Sequence, residues 1–116
     1  MNRRILVVDD DHAMVRTLCD ILRIRGWDPD GAHSGEEAVA IVCADGYTDV
    51  LMDIRMPGMD GVAACKAMKN CGRNPAPRVV LMTAHTAPEL LEVARSDGTH
   101  VVTKPIDMPA LLEFLQ

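Results

Sequence analysis

The chain has 116 residues, 48% hydrophobic, 25% charged and 3% aromatic, with a formal net charge of −5. That size and balance describe one domain able to bury roughly two-thirds of its unfolded surface without disulfides or metals, and they exclude a disordered chain. The acidic charge argues against nucleic acid as a direct partner. No apolar run approaches the roughly 18 residues of a membrane span, and the start Met-Asn-Arg-Arg leads into a strand-like segment instead of a signal peptide, so a cytoplasmic protein with no membrane partner is expected.

Arg4-Ile5-Leu6-Val7-Val8 is a β-branched-rich run without alternation, the pattern of a strand covered on both faces, and it ends in Asp9, Asp10 and Asp11. Met14, Leu18, Ile21 and Leu22 follow at helical spacing and predict an amphipathic helix, with Asp11 as N-cap and Gly26 as stop. Trp27 to His33 is interrupted by Pro29 and Gly31, which fits an edge strand. Ser34-Gly35-Glu36-Glu37 is a capping box opening a helix with Ala38, Val39, Ile41 and Val42, to about Asp45.

Asp49 to Asp53 reads as the third strand. It breaks at once into a turn containing Pro57 and Gly58, which sets Asp53 at the mouth of a buried strand. Asp60 to about Asn70 is a helix with Val62, Cys65 and Met68 inward, closed by the breaker-rich stretch Cys71 to Pro77. Arg78 to Thr83 repeats the apolar run that closes on a polar residue. A second capping box, Thr86-Ala87-Pro88-Glu89, starts a helix with Leu90, Leu91, Val93 and Ala94 before Gly98. His100 to Pro105 is the last strand. Asp107 then caps a final helix with Leu111, Leu112 and Leu115 inward, which stops at Gln116 after little more than two turns.

Strand and helix alternate five times, which predicts an α/β fold: a doubly wound, five-stranded parallel sheet of flavodoxin-like order 2-1-3-4-5 with helices on both faces. One domain is expected over residues 1–116, its last helix either complete or truncated. The cysteines at 19, 43, 65 and 71 form no Cys-x-x-Cys pair and have no histidine at zinc-like spacing; Cys19, Cys43 and Cys65 fall on predicted helices, where a small hydrophobe suits the apolar face, and a structural role is expected.

Ligands of such sheets bind beyond the carboxyl ends of the strands, at the switch point between strands 1 and 3. Strand 1 ends in Asp9 and Asp10, strand 3 in Asp53, strand 4 in Thr83 and strand 5 in Lys104, so every strand except the edge strand 2 delivers a polar group to one rim. Singly these residues are ordinary caps and turn charges; their joint placement is not. Carboxylates converging there repel by about 4 kcal/mol per pair at 4 Å with an effective dielectric near 20. A hard divalent cation such as Mg²⁺, with Mn²⁺ as substitute, relieves that repulsion through oxygen ligands. Lys104 offers a point charge suited to phosphate and Thr83 a hydroxyl donor, so the cleft is equipped for phosphoryl transfer onto Asp53.

The stretches Ile5 to Asp11, Val50 to Gly61, Val80 to Ala84 and Thr103-Lys104-Pro105 together resemble the receiver domain of bacterial two-component response regulators, over essentially the whole chain. The separation from Asp10 to Asp53 and the proline four positions after Asp53 are similar to the family pattern. The resemblance implies a signalling phosphoacceptor that is not an enzyme in its own right. Asp53 would take a phosphoryl group from a sensor histidine kinase or a histidine phosphotransfer protein. Asp9, Asp10, Asp53 and the backbone carbonyl of Arg55 would hold Mg²⁺. Thr83 and Lys104 would contact the phosphoryl oxygens, small Ala84 would leave the phosphate accessible, and Pro105 would follow a cis peptide bond. It also implies a possible homodimer through the fourth predicted helix, strand 5 and the last helix, and leaves open whether an output domain follows Gln116.

Two features depart from the family pattern. Relatives carry an aromatic switch residue three positions before the lysine, where this chain has Val101, so a signal is expected to travel by backbone shifts or through the neighbouring His100. Arg55 and His85, each two residues beyond a site residue, are expected to flank the phosphoryl group and tune its lifetime. Other readings are a degenerate receiver acting only as an interaction module, an aspartyl-phosphate phosphohydrolase, and an FMN carrier. The phosphohydrolase lacks its second aspartate because Arg55 occupies that place, and the FMN carrier lacks a phosphate loop after strand 1.

Overall fold

In a computed structural model of the chain, which describes residues 3–72, 75–84, 92 and 99–115, five parallel strands form one sheet in the order β2-β1-β3-β4-β5. The middle is filled by β1 (Arg4–Val8), β3 (Asp49–Asp53) and β4 (Arg78–Thr83), and the edges are β2 (Asp28–Ala32) and β5 (His100–Thr103). Among the described residues four helices cover the sheet: α1 (His12–Ile24), α2 (Gly35–Ala44), α3 (Gly61–Lys69) and α4 (Met108–Leu115). The capping box at Thr86 and the helix expected around Leu90 to Ala94 lie outside the described residues.

Side chains alternate across a strand, so each central strand feeds both faces. Leu6, Val8, Val50, Met52, Val79 and Leu81 share one core with Ala38 and Val42 of α2 and Val62, Cys65 and Met68 of α3. Ile5, Val7, Leu51, Val80 and Met82 share the other with α1 and with Leu111, Leu112 and Leu115 of α4. Burial on both sides explains why these strands read as continuous apolar runs. The inward face of α1 is Val15, Leu18, Cys19 and Leu22, whereas Met14 and Ile21 are only partly buried. Leu18 and Leu22 of the predicted stripe are thus core residues, while Met14 and Ile21 sit at its margin and border a groove toward Pro105 and Ile106.

Each helix start has its cap. Asp11 accepts from the Met14 amide at 3.1 Å, Ser34 from Glu37 at 3.1 Å, Asp60 from Ala63 at 2.8 Å and Asp107 from Ala110 at 3.2 Å. At the amino ends of the strands, the fully buried carboxylate of Asp49 accepts from Arg78 Nε at 2.8 Å and Arg3 Nη2 at 3.0 Å. Both arginines also donate to the carbonyl of Leu115, which satisfies the end of α4. Cys19 and Cys65 are free and buried, in keeping with a packing role. Cys43 and Cys71 are not: they form a disulfide, with Cα atoms 5.8 Å apart across 28 residues of chain. The pairing arises because α2 and α3 pack side by side and both run away from the strands' carboxyl ends, a tertiary relation that the cysteine spacing does not encode. Among the described residues no helix is long and apolar enough to cross a membrane.

Candidate functional site

The strand registers align Val8 with Met52, Asp53 with Met82 and Thr83 with Thr103, so the carboxyl ends of β1, β3, β4 and β5 open on one rim. Asp9 and Asp10 follow β1, Asp53 and Thr83 end β3 and β4, and Lys104 follows β5. Asp9, Asp53 and Thr83 are 1%, 7% and 3% exposed, while Asp10 faces solvent. One carboxylate oxygen from each of Asp9, Asp10 and Asp53 lies within 4.8 Å of the other two. Lys104 Nζ donates to Asp9 Oδ2 at 2.8 Å and to Asp53 Oδ2 at 3.3 Å. The Lys104 amide donates to the Thr83 carbonyl at 2.8 Å, which extends the β4–β5 ladder by one bond, and the Lys104–Pro105 peptide is cis.

The loop after Asp53 is held from three sides. Buried Ile54 and Met56 sink it into the α2–α3 core, and the Ile54 amide donates to the Met82 carbonyl at 2.8 Å. Gly58 takes a left-handed turn with φ +78, a conformation that suits glycine. From α2, Glu36 Oε1 accepts the Met59 amide at 3.3 Å. At Gly61 a β-carbon would stand 2.5 Å from the Asp53 carbonyl oxygen, so α3 begins in backbone contact with the site residue.

Burial raises the carboxyl pKa of Asp53 and the charge of Asp9 adds to that rise, with Lys104 only partly offsetting them. Burial pulls the Lys104 ammonium down, but its bonds and attraction to Asp9 and Asp53 outweigh this and hold its pKa above the ordinary lysine value. Among the described residues three carboxylates face one ammonium, leaving an excess of negative charge in a cleft of hard oxygen donors. That donor set fits a cation of the Mg²⁺, Ca²⁺ or Mn²⁺ kind and not a soft metal.

Asp9, Asp10, Asp53, Thr83 and Lys104 are thus brought to one cleft. Ala84 is exposed directly after Thr83. Arg55 is exposed; its amide donates to Asp53 Oδ1 at 3.3 Å while its side chain borders a surface depression with Met56, Pro57 and Asp60. His85 lies outside the described residues. Val101 packs against the α2–α3 core, whereas His100 stacks on Phe114 of α4 at 3.9 Å, so the two neighbours face opposite sides of the sheet.

The edge strand also contributes to the rim, against the reading that left it out. His33, just past β2, sets Nδ1 3.2 Å from the Asp9 carbonyl oxygen and stacks on His12 with ring centroids 3.7 Å apart. The Asp11 amide donates to Asp9 Oδ1 at 3.0 Å. Nothing in the sequence signals the two His33 contacts, since each depends on how β2 and α1 meet β1.

The family model described as the response regulator receiver domain matches residues 5–116. The chain belongs to the response regulator receiver domain family. This receiver is 34% identical over 118 residues to sporulation initiation phosphotransferase F of Bacillus subtilis, covering 100% of this chain and 93% of that protein. It is 37% identical over 113 residues to transcriptional regulatory protein ZraR of Salmonella typhimurium, covering 97% of this chain and 25% of that one. The receiver spans about half the length, or less, of the first curated relatives it matches. The crystal structure of a response regulator receiver protein from Pseudomonas putida superposes with a TM-score of 0.91 at 25% identity, covering 99% of this chain and 96% of that one.

Proposed function

We propose that this receiver is the phosphoacceptor of a two-component phosphorelay and that Asp53 takes the phosphoryl group. The observation that carries the reading is the convergence of Asp9, Asp10 and Asp53 within 4.8 Å, with the Lys104 ammonium between Asp9 and Asp53. Family membership and the likeness to a protein named as a phosphotransferase support it.

In the proposed step an Asp53 carboxylate oxygen forms a bond to phosphorus as the phosphorus–nitrogen bond of a phosphohistidine breaks, and the electron pair returns to the imidazole. The donor is a sensor histidine kinase or a histidine phosphotransfer protein. Asp53 is positioned as nucleophile by the Arg55 amide and by the buried Ile54 and Met56 on its carboxyl side. Thr83 and Lys104 bind the transferred oxygens, the lysine exchanging a carboxylate partner for a phosphoryl one, and exposed Ala84 leaves the approach open. Asp9, Asp10, Asp53 and the Arg55 carbonyl would hold Mg²⁺ or Mn²⁺, which when bound neutralises charge on the phosphoryl oxygens. Positioning and charge stabilisation supply the catalysis; the chain acts as a signalling acceptor, without turnover of a separate substrate.

The same reading treats residues 1–116 as one receiver unit working in the cytoplasm, where phosphohistidine donors form. The relatives differ in length around the matched region, which is 25% of ZraR and 93% of phosphotransferase F, and an output domain is proposed as a partner only for the longer arrangement. A homodimer would use β5 and α4, together with the helix expected between β4 and β5. The direct test is incubation with acetyl phosphate or phosphoramidate and Mg²⁺ followed by intact mass. The expected result is a gain of one phosphoryl group that disappears in Asp53→Asn. No gain in the unmodified chain would overturn the reading in favour of a degenerate interaction module.

A further inference from the structure

We propose that Cys43 and Cys71 form a redox modification site: a thiol pair that a low-molecular-weight disulfide closes and a reducing dithiol reopens, and whose closure stiffens the loop after Asp53. The two Cα atoms stand 5.8 Å apart, inside the span that a disulfide bridges without backbone movement. Both residues are half-buried, open to a small reagent, whereas Cys19 and Cys65 are buried in opposite cores and have no such access. The reduced state is also accommodated, because Cys71 Sγ lies 3.1 Å from the Met68 carbonyl oxygen, which accepts the thiol proton when the bond is open.

The pair sits where it closes a ring. Cys43 is in the last turn of α2 and Cys71 is two residues past α3, so the disulfide ties the helix ends farthest from the cleft. At the other end, Glu36 of α2 accepts the Met59 amide, and Met59 lies on the loop that leads from Asp53 into α3. Beyond the core they share, α2 is thus tied covalently to the far end of α3 and, at the cleft end, to the loop entering α3 by an exposed hydrogen bond. Opening the covalent end lets α2 slide or tilt on α3, and the contact that yields first is the weak one at the loop.

Closure proceeds by exchange. One cysteine thiolate attacks the reagent disulfide and releases a thiolate; the second cysteine thiolate attacks the mixed disulfide and releases the other. The protein loses two electrons to the reagent, and the two cysteine protons pass to the released thiols. The proposal does not require that Asp53 be phosphorylated.

The test treats the full chain with oxidised glutathione or with dithiothreitol and measures three things. Alkylation under denaturing conditions is expected to find two fewer thiols after oxidation, with Cys43 and Cys71 in one cross-linked peptide, and dithiothreitol to restore them. Reduction should lower Tm by on the order of 10 °C, and the double variant Cys43→Ala/Cys71→Ser should show no difference between the two treatments. Amide exchange at Met59 should be several-fold faster in the reduced chain. A stable mixed disulfide, a bond to Cys19 or Cys65, a bond between chains, or equal Tm and Met59 exchange in both states would overturn the proposal.

Discussion

Lys104 holds Asp9 more closely than Asp53, at 2.8 Å against 3.3 Å, although Asp53 is the residue proposed to react. Asp9 is the more deeply buried of the two carboxylates and has the greater need of a counter-charge. Lys104→Met is therefore expected to destabilise the metal-free domain by about 1–3 kcal/mol. Mg²⁺ should recover more stability in the variant than in the unmodified chain, because a bound cation supplies the missing charge. Thermal unfolding in EDTA and in Mg²⁺ checks this; equal losses under both conditions would contradict it.

Asp49 shares its buried carboxylate between Arg3 and Arg78, whose side chains are 41% and 39% exposed. Losing either arginine leaves the other in place, and Arg3→Ala or Arg78→Ala alone should cost about 1 kcal/mol. The double variant strands a buried charge and should cost about 3–5 kcal/mol, more than the two together. Urea unfolding of the four proteins measures the coupling. Additivity would mean that Asp49 has no need of either partner.

Tyr47 titrates far from its ordinary value. Burial, together with its bond to Asp30 at 2.7 Å, pushes the phenol up to about 12. The unfolded phenol ionises near pH 10, so the folded state keeps a proton that the unfolded state has lost. This contribution to stability is whole below pH 10 and disappears as pH rises from there through 12. The chain has a single tyrosine, so absorbance at 295 nm reports it alone. A folded-state midpoint near 10 would refute the assignment, and Asp30→Asn should lower the midpoint.

Gly61→Ala would place a methyl group 2.5 Å from the Asp53 carbonyl oxygen and 2.9 Å from Ile54 Cα, both of them backbone. Either α3 or the loop must move, at an expected cost of about 2–4 kcal/mol. Phosphoryl labelling of Asp53 should fall as well. Gly31→Ala is the comparison: its methyl meets only Val15 Cγ1, at 2.7 Å, and a side chain yields more readily than backbone. Chemical denaturation of both variants, with intact mass after acetyl phosphate, separates a local disturbance at Asp53 from general crowding; equal effects on labelling would remove the special role of Gly61.

The fold was legible because its signals are local. The apolar runs at Ile5, Val50 and Val79 and the caps at Asp11, Ser34, Asp60 and Asp107 can be read without knowing their neighbours. Asp9, Asp10, Asp53, Thr83 and Lys104 were legible for the same reason: each ends a strand, and parallel strands end together. Residues that matter through a distant partner were not. Asp49 reads as the first residue of a strand until Arg3 and Arg78 reach it. His33 reads as the end of an edge strand, with no sign of its contact to Asp9 until β2 docks beside β1, and Cys43 gives no hint of Cys71 until α2 and α3 lie side by side. On α1 the expected stripe of Met14, Leu18, Ile21 and Leu22 supplies Leu18 and Leu22 to the core, while the smaller Val15 and Cys19 complete the buried face in place of the bulkier Met14 and Ile21.

Among the described residues Asp9 and Asp53 are buried around the one ammonium of Lys104, and that surplus of negative charge opposes folding. A library of this chain screened only for thermal survival, in buffer without divalent cations, would accordingly enrich asparagine or other neutral residues at one of the two positions while keeping Lys104. Sequence optimisation aimed at robustness alone would erode the cleft first, and the substitutions it favoured would mark which residues the fold itself does not require.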